Sequence, residues 1–507
     1  MSTTLRQGLI CAVVFLAALF YLNTLVGDCF HPSLDEGIYL EGGERLLAGQ
    51  MPYRDYFAFT GPLVYWCEAI LQHFFGRNMP PLRLPSTASF ALMVLAVYAI
   101  TSRLTNIGYG LGTAVIYLGY LSASTYMVIV NHRWLSAGLA CLALWAAIEA
   151  TGKTYRWRWC LAGAAAAASA WATPSFILGI GVYLVWLALR ERHHLVPFCS
   201  GVLLVSVPAI AWLAMHGALM PMINNLVWVA SRYSKANSVP YGYSVGGPGP
   251  KWDDVTLSMY VRLMAGIATL RYQVAPIGVP LSLAAYGFLA WRGKLDARIQ
   301  LLVLSAAAIF LTSYPRWDLN QMLFVMAPFA VLFALLAFRL PLLAQPPLVV
   351  ALSLWAVINF SAAWRVAAED PYFPTRAGLQ RGPISMLEAY ERLERLIPEG
   401  STLFAFPYLP SLGYALHTRN PTRYSFLQPG MMSKEDEANA LSDLQREPPR
   451  FILRQYFPED QVLHTWPNSD RATLRMASIR KFIDQRYVFV DVIQSIYFRV
   501  EVMELRQ

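Results

Sequence analysis

Residues 9–26 read LICAVVFLAALFYLNTLV, and residues 27–56 continue GDCFHPSLDEGIYLEGGERLLAGQMPYRDY. The first stretch carries no charge and nearly reaches the about 20 apolar residues needed to cross a hydrocarbon core of roughly 30 Å. It follows a single Arg6, and no small-x-small cleavage site precedes the loop, so it predicts an uncleaved anchor rather than a removable leader. The second stretch turns polar and acidic where the crossing emerges. An apolar crossing that opens onto carboxylates sets the frame for the rest of the chain.

Composition extends that frame. The 507 residues are 56% apolar and only 14% charged, with a mean hydropathy of +0.41. Soluble proteins average about 25% charged residues, which excludes an ordinary water-soluble enzyme. Residues 1–364 hold 22 basic and 13 acidic side chains, and residues 365–507 hold 18 of each. The net charge of +9 therefore belongs to the apolar part, where it marks loops at a bilayer face and not a nucleic-acid footprint. Two regions are expected: a membrane body over 1–364 and a globular tail over 365–507.

Further apolar runs lie near 84–101, 109–128, 134–150, 161–189, 197–215, 266–291, 299–313, 323–338 and 348–364. Residues 161–189 are long for one crossing and short for two, with Thr173 and Pro174 in the middle. Both flanks are basic, through Lys153, Arg156 and Arg158 before and Arg190 and Arg192 after. The positive-inside rule places both flanks in the cytoplasm, which demands two short helices turning near Pro174. That gives about eleven crossings, with the N-terminus inside and the tail outside. On this topology ten of the thirteen acids of the membrane part face outward, which points to chemistry on the outer face.

The tail reads as α/β. Helical stretches near 384–396, 433–446 and 470–484 alternate with β-rich runs at 401–407, 450–455, 488–494 and 497–502. Ser433 with Asp436 forms a capping-box pattern. Of six cysteines, Cys29 and Cys67 fall in the first outer loop and could pair in an oxidising compartment. No zinc spacing is present.

Ser33 and Glu36 also have capping-box spacing, and Gly49 is a natural stop. Asp35 and Glu36 then sit in the first turn of a short helix, whose dipole favours ionised carboxylates. A carboxylate held there at the edge of a water-poor cleft suits a general base for a hydroxyl or amine. The same pattern fits a solvated helix start whose acids only cap. Residues 61–76, too short and polar for a crossing, predict an amphipathic interfacial helix or a re-entrant one. Together these form an outer segment over 27–83 that roofs a lateral groove. Residues 217–265 are rich in Gly, Pro and aromatics and predict a mobile outer loop, either a lid over a donor or a solvated loop.

Asp35-Glu36 with Tyr39, then Leu46-Leu47-Ala48-Gly49, Pro52-Tyr53, Asp55, Gly61-Pro62 before Tyr65-Trp66, and Arg83-Leu84-Pro85-Ser86 resemble the polyprenyl-phosphate-sugar-dependent glycosyltransferases of the GT-C fold. The aminoarabinose lipid A transferases and the protein O-mannosyltransferases are the groups it is most similar to. The resemblance implies a helical polytopic membrane protein with a C-terminal α/β soluble domain, and it maps the family's catalytic base onto Asp35. Glu36 is the second catalytic candidate, through acceptor or donor hydroxyls. Tyr39, Tyr53, Asp55 and Asp318 are the expected substrate contacts. The chain departs from the aminoarabinose group where Ile38 and Thr60 stand in place of an Arg and a Lys that contact donor phosphate.

Other cations must then meet a leaving phosphate, which needs positive charge but no general acid. His132 and Arg133 lie at one outer turn and Arg316 at another. Arg271 lies inside an apolar run, where a lone cation is costly, and Asp318 is its candidate partner. Arg133 and Arg316 also fit a role of snorkelling to lipid phosphates. No cofactor or acidic metal cage is expected, although Asp35, Glu36 and Asp55 could give one or two ligands to a divalent cation. The expectation is an inverting transferase using a polyprenyl-phosphate-linked sugar and a lipid, glycan or protein acceptor. It would sit in a bacterial inner membrane with its tail in the periplasm, without nucleic-acid partners. A lipid or solute transporter is the rival. It would show broken helices repeated in two halves, and no such halves are visible.

Overall fold

The computed structural model describes residues 3–30, 35–122, 130–243, 259–341 and 343–506. Helix α1 (Thr3–Val26) is followed by two short helices, α2 (Glu36–Leu47) and α3 (Leu63–Phe75), and by the turn α4 (Met79–Leu82). Then come α5 (Leu84–Leu104), α6 (Ile107–Ser122), α7 (His132–Ala150), α8 (Arg156–Ala172), α9 (Ile177–Arg190) and α10 (Leu195–Met215). After an outer segment with α11 (Leu219–Trp228) and α12 (Ser234–Ala236), the body closes with five helices. These are α13 (Met259–Trp291), α14 (Ala297–Leu311), α15 (Leu319–Leu323), α16 (Met326–Phe338) and α17 (Gln345–Glu369). Six helices are long and apolar enough to cross a membrane, and α6, α9, α14 and α16 are shorter apolar ones. With α8 these occupy the eleven expected positions, and the chain is a multi-pass membrane protein.

The split of 161–189 has a local cause. Thr173, ahead of Pro174, is extended at φ −137° and ψ 110°, the conformation proline imposes on its predecessor. The α-helix therefore ends at Ala172, and a single 3-10 turn over Pro174–Phe176 leads into α9. Small residues bring the neighbouring helices together, as is usual where no hydrophobic drive separates helix from lipid. A Cβ on Gly163 would lie 2.1 Å from the carbonyl oxygen of Phe198, and one on Gly201 would lie 1.9 Å from that of Cys160. Backbone contact between α8 and α10 thus requires glycine on both sides.

The soluble domain adds a hairpin of β1 (Tyr372–Thr375) and β2 (Gly378–Arg381), then α18 (Ile384–Leu396). Strand β3 (Leu403–Phe406) leads through α19 (Pro410–Ala415) and α20 (Lys434–Arg446) to β4 (Phe451–Gln455). After α21 (Glu459–Thr465) and α22 (Ala477–Arg486), the chain finishes with β5 (Tyr487–Gln494) and β6 (Arg499–Leu505). The four-stranded order is β3-β4-β6-β5. β3 and β4 are parallel, with Leu403 opposite Phe451, and the other pairs are antiparallel, with Leu453 opposite Val502. The Ser433–Asp436 capping box is formed. The helix expected at 470–484 begins only at Ala477, because residues before it turn around Asp470, which takes the Ala472 N–H.

One core joins the domain to the membrane body. Tyr39 and Leu40 of α2 and Val64 and Tyr65 of α3 pack with Leu403, Leu409, Leu412, Leu453 and Val500. α3 leaves Ile70, Phe74 and Phe75 exposed, as an interfacial helix does. The outer segment 217–265 is helical over much of its length, through α11, a π-turn over Val229–Tyr233 and α12. Residues 239–243 then lie along 315–319, with Gly242 N–H donating to the Trp317 carbonyl at 2.8 Å. The lid expectation for 244–258 lies outside the described residues. Finally, the Cys29 and Cys67 thiols are both free, and α17 runs past residue 364 to Glu369.

Candidate functional site

Asp35 is the N-cap of α2 and makes no capping bond with its side chain. Its carboxylate is therefore available, and Oδ1 accepts the hydroxyl hydrogen of Tyr408. Ser33 lies outside the described residues, and Glu36 does not turn back to cap. It is wholly buried, and its two oxygens take Nε and a terminal nitrogen of Arg83 at 2.7 and 2.8 Å. Arg83 also reaches the Gly27 carbonyl at the end of α1. This ion pair ties the head of α2 to the first crossing. Gly49, at φ +81°, closes the other end of α2 as expected.

Tyr408 stands between β3 and α19 in the soluble domain. α19 docks on α2 where Gly37 donates its N–H to Ser411 Oγ at 2.9 Å, and that docking brings Tyr408 over Asp35. Burial, then the nearby Asp35 charge, pushes the Tyr408 phenol well above its ordinary pKa, so the proton stays on the tyrosine. Leu409, next in the chain, is held in the left-handed region at φ 83°, a costly conformation for a branched side chain.

Arg316, in the loop between α14 and α15, lies within electrostatic reach of Asp35. Its Nε donates to Asp318 Oδ2 at 2.7 Å. Burial opposes its charge, but Asp318, Tyr233 and Asp35 outweigh that and raise its pKa above the usual arginine value. Asp318 itself is fully buried, and its other oxygen caps α15 through the N–H groups of Asn320 and Gln321. Arg316 is thus a partner of Asp318, for which Arg271 was expected. The Arg271 side chain lies outside the described residues.

Arg133, in the first turn of α7, is 6% exposed. Among the described residues its guanidinium hydrogen-bonds only the neutral Thr312 carbonyl, at 2.7 Å. Tyr233, at the end of the π-turn, feels Arg316, Arg133, Asp35 and Asp318 together. Its ring stacks on Phe59 at 5.8 Å, and Phe59 meets His132 and Phe426. His132 Nδ1 is 2.7 Å from Thr173 Oγ1, which ties the head of α7 to the break between α8 and α9.

The other expected contacts are engaged elsewhere. Tyr39 is completely buried between Tyr65 and His132. Tyr53 gives its hydroxyl to the Thr60 carbonyl at 2.6 Å. Asp55 accepts the Met51 N–H and two bonds from Arg54, and the Arg54 hydrogen bond leads in holding its carboxyl below the usual range. Sequence reasoning missed Tyr408 and Tyr233. The only available signal was, for Tyr408, an aromatic between Pro407 and Pro410, while Tyr233 sits in a run of small and polar residues. Among the described residues no group of three or more His, Cys, Asp and Glu stands ready to hold a metal ion. A cavity of about 450 Å³ also lies elsewhere, between α2 and the soluble domain.

Residues 60–228 match the family model for dolichyl-phosphate-mannose-protein mannosyltransferase. No curated protein matches the chain significantly. Among solved structures it is similar to ArnT from Cupriavidus metallidurans in the apo state, with a TM-score of 0.59 and 12% identity over 99% of this chain and 98% of that one. The same protein bound to undecaprenyl phosphate gives 0.56 and 14% over 97% of each. The archaeal oligosaccharyltransferase AglB from Archaeoglobus fulgidus, in complex with an inhibitory peptide and a dolichol-phosphate, gives 0.51 and 11% over 89% of this chain and 70% of that one. The likeness spans both the membrane body and the tail, so the chain has the GT-C fold of the polyprenyl-phosphate-dependent membrane glycosyltransferases its sequence resembles.

Proposed function

We propose that the chain transfers a sugar from a polyprenyl-phosphate donor to a hydroxyl or amine acceptor, in one inverting displacement. Asp35 takes the acceptor proton as the acceptor atom bonds to the anomeric carbon. The bond from that carbon to the phosphate oxygen breaks, and the phosphate leaves with the electron pair. Arg316 and Arg133 receive the growing negative charge, an effect strongest where water is excluded. Glu36 acts at one remove, by holding α2 on Arg83. The acceptor face is the periplasmic side of a bacterial inner membrane.

The observation that carries this reading is a buried guanidinium, Arg133, bonded only to a neutral carbonyl among the described residues, beside Arg316, whose charge Asp35 favours. A buried cation so poorly matched is costly unless an anion completes it. Polyprenyl phosphates in the similar ArnT and AglB structures support an anionic lipid as that partner. The test is transfer from radiolabelled lipid-linked sugar in membranes. Asp35→Asn should abolish turnover while donor binding persists; a mutant that turns over normally removes the mechanism.

A further inference from the structure

The cavity between α2 and the soluble domain measures about 450 Å³, within the roughly 300–1,000 Å³ of small-molecule sites. Its lining combines five guanidinium groups and five carboxylates. They are matched to one another: Arg45 with Glu41, Arg77 with Glu44, and Arg423 with Asp443. Such a lining has no net charge to offer an anion or a cation. It does present planar, fixed ion pairs whose spare N–H groups and lone pairs suit adjacent hydroxyl groups. Tyr414 adds an independent sign. It lines the cavity under the Arg77 guanidinium, is 3% exposed, and its hydroxyl has no hydrogen-bond partner among the described residues. A buried phenol left so is destabilising unless a ligand or water completes it.

We propose that this cavity binds a neutral saccharide. It is separate from the reacting position. Glu41 and Arg45 stand six and ten residues beyond Asp35 along α2, about 9 and 15 Å at 1.5 Å per residue. The segment that ends at Tyr414 walls both places, with Tyr408 on Asp35 and Pro410, Gly413 and Tyr414 on the cavity. A saccharide seated there therefore rests against the wall that holds the general-base candidate. The inference does not depend on the transferase reading, because Asp35 does not line the cavity.

The full chain, purified in detergent, is applied to an array of neutral, anionic and cationic glycans. Neutral oligosaccharides should be retained. Ala48→Trp, which fills the cavity from an exposed position at the end of α2, should lower the signal at least ten-fold. Tyr414→Phe, which removes a single oxygen atom, should lower it several-fold. Asp35→Asn should bind as wild type does while losing transfer, so the two readings fail separately. Retention of no neutral glycan, a preference for anionic glycans, or binding unchanged in both cavity variants overturns the proposal.

Discussion

Tyr408 donates its hydroxyl hydrogen to Asp35 across 373 residues of sequence, so a side chain of the soluble domain holds the carboxylate at the head of α2. A hydrogen bond to a charged group contributes about 1.5–3 kcal/mol, and about 1.4 kcal/mol is tenfold in rate. Tyr408→Phe should lower the turnover of lipid-linked sugar roughly 10- to 100-fold, with a lower melting temperature of the folded chain. Full turnover in initial-rate assays would show that Asp35 holds its position without the phenol.

Glu36 and Arg83 form a buried pair with side-chain exposures of 1% and 0%. Removing one partner of such a pair typically costs about 3–5 kcal/mol, whereas replacing both with apolar groups is often neutral. Glu36→Leu should sharply lower the unfolding midpoint in detergent, and Glu36→Leu with Arg83→Met should recover most of it. A double mutant as unstable as the single one would mean that Arg83 acts through the Gly27 carbonyl instead.

Glu68 on α3 is 1% exposed, and its Oε2 has no hydrogen-bond partner among the described residues. Burial, then the nearby Glu36, raises its pKa well above the ordinary carboxylate value. The folded state thus keeps a proton that the unfolded state releases near about pH 4.3. Its contribution to stability is present below that pH and lost as pH rises toward the folded pKa. Glu68→Gln should leave stability at pH 4 nearly unchanged and raise it increasingly toward pH 7. Parallel stability–pH curves for mutant and wild type would contradict this.

Gly37 lies where α2 meets α19, and a Cβ there would come within 2.2 Å of the Ser411 nitrogen. Gly37→Ala should push α19 away and carry Tyr408 with it. The expected readout is earlier release of the soluble domain in limited proteolysis, together with a fall in turnover at least as large as that of Tyr408→Phe. Unchanged proteolysis and turnover would show that the contact yields without consequence.

Arg133→Met removes a buried cation that meets only the Thr312 carbonyl among the described residues. With one charge-assisted bond to phosphate worth about 1.5–3 kcal/mol, the KM for donor should rise about 10- to 100-fold. The melting temperature without donor should hold or increase. An unaltered KM would place the phosphate elsewhere.

The crossings, the break at Pro174 and most of the tail were legible because apolar length, proline and periodicity act locally. The place of Asp35 at a helix start just beyond a crossing was legible for the same reason. Tyr408 was not, since the run Phe406 to Tyr414 reads as apolar filler until α19 docks on Gly37. The buried pairing of Glu36 with Arg83 was hidden similarly, 47 residues apart, and capping-box spacing suggested a competing local partner. The Gly- and Pro-rich stretch after residue 240 made the whole outer segment look like loop, although the more apolar residues 219–236 form helix with a π-turn. Tyr53 and Asp55 share a motif with Asp35, and the Thr60 carbonyl and Met51 N–H that they engage could not be read from it.

Arg77, just past α3, grips Glu44 and the Thr418 carbonyl beyond α19, while Ile70 and Phe74 on α3 face outward. A helix with an exposed apolar face is therefore also tied to the soluble domain. On the proposed transferase reading, bilayer thickness and headgroup packing then bear on turnover, which should differ between nanodiscs of graded acyl length and micelles.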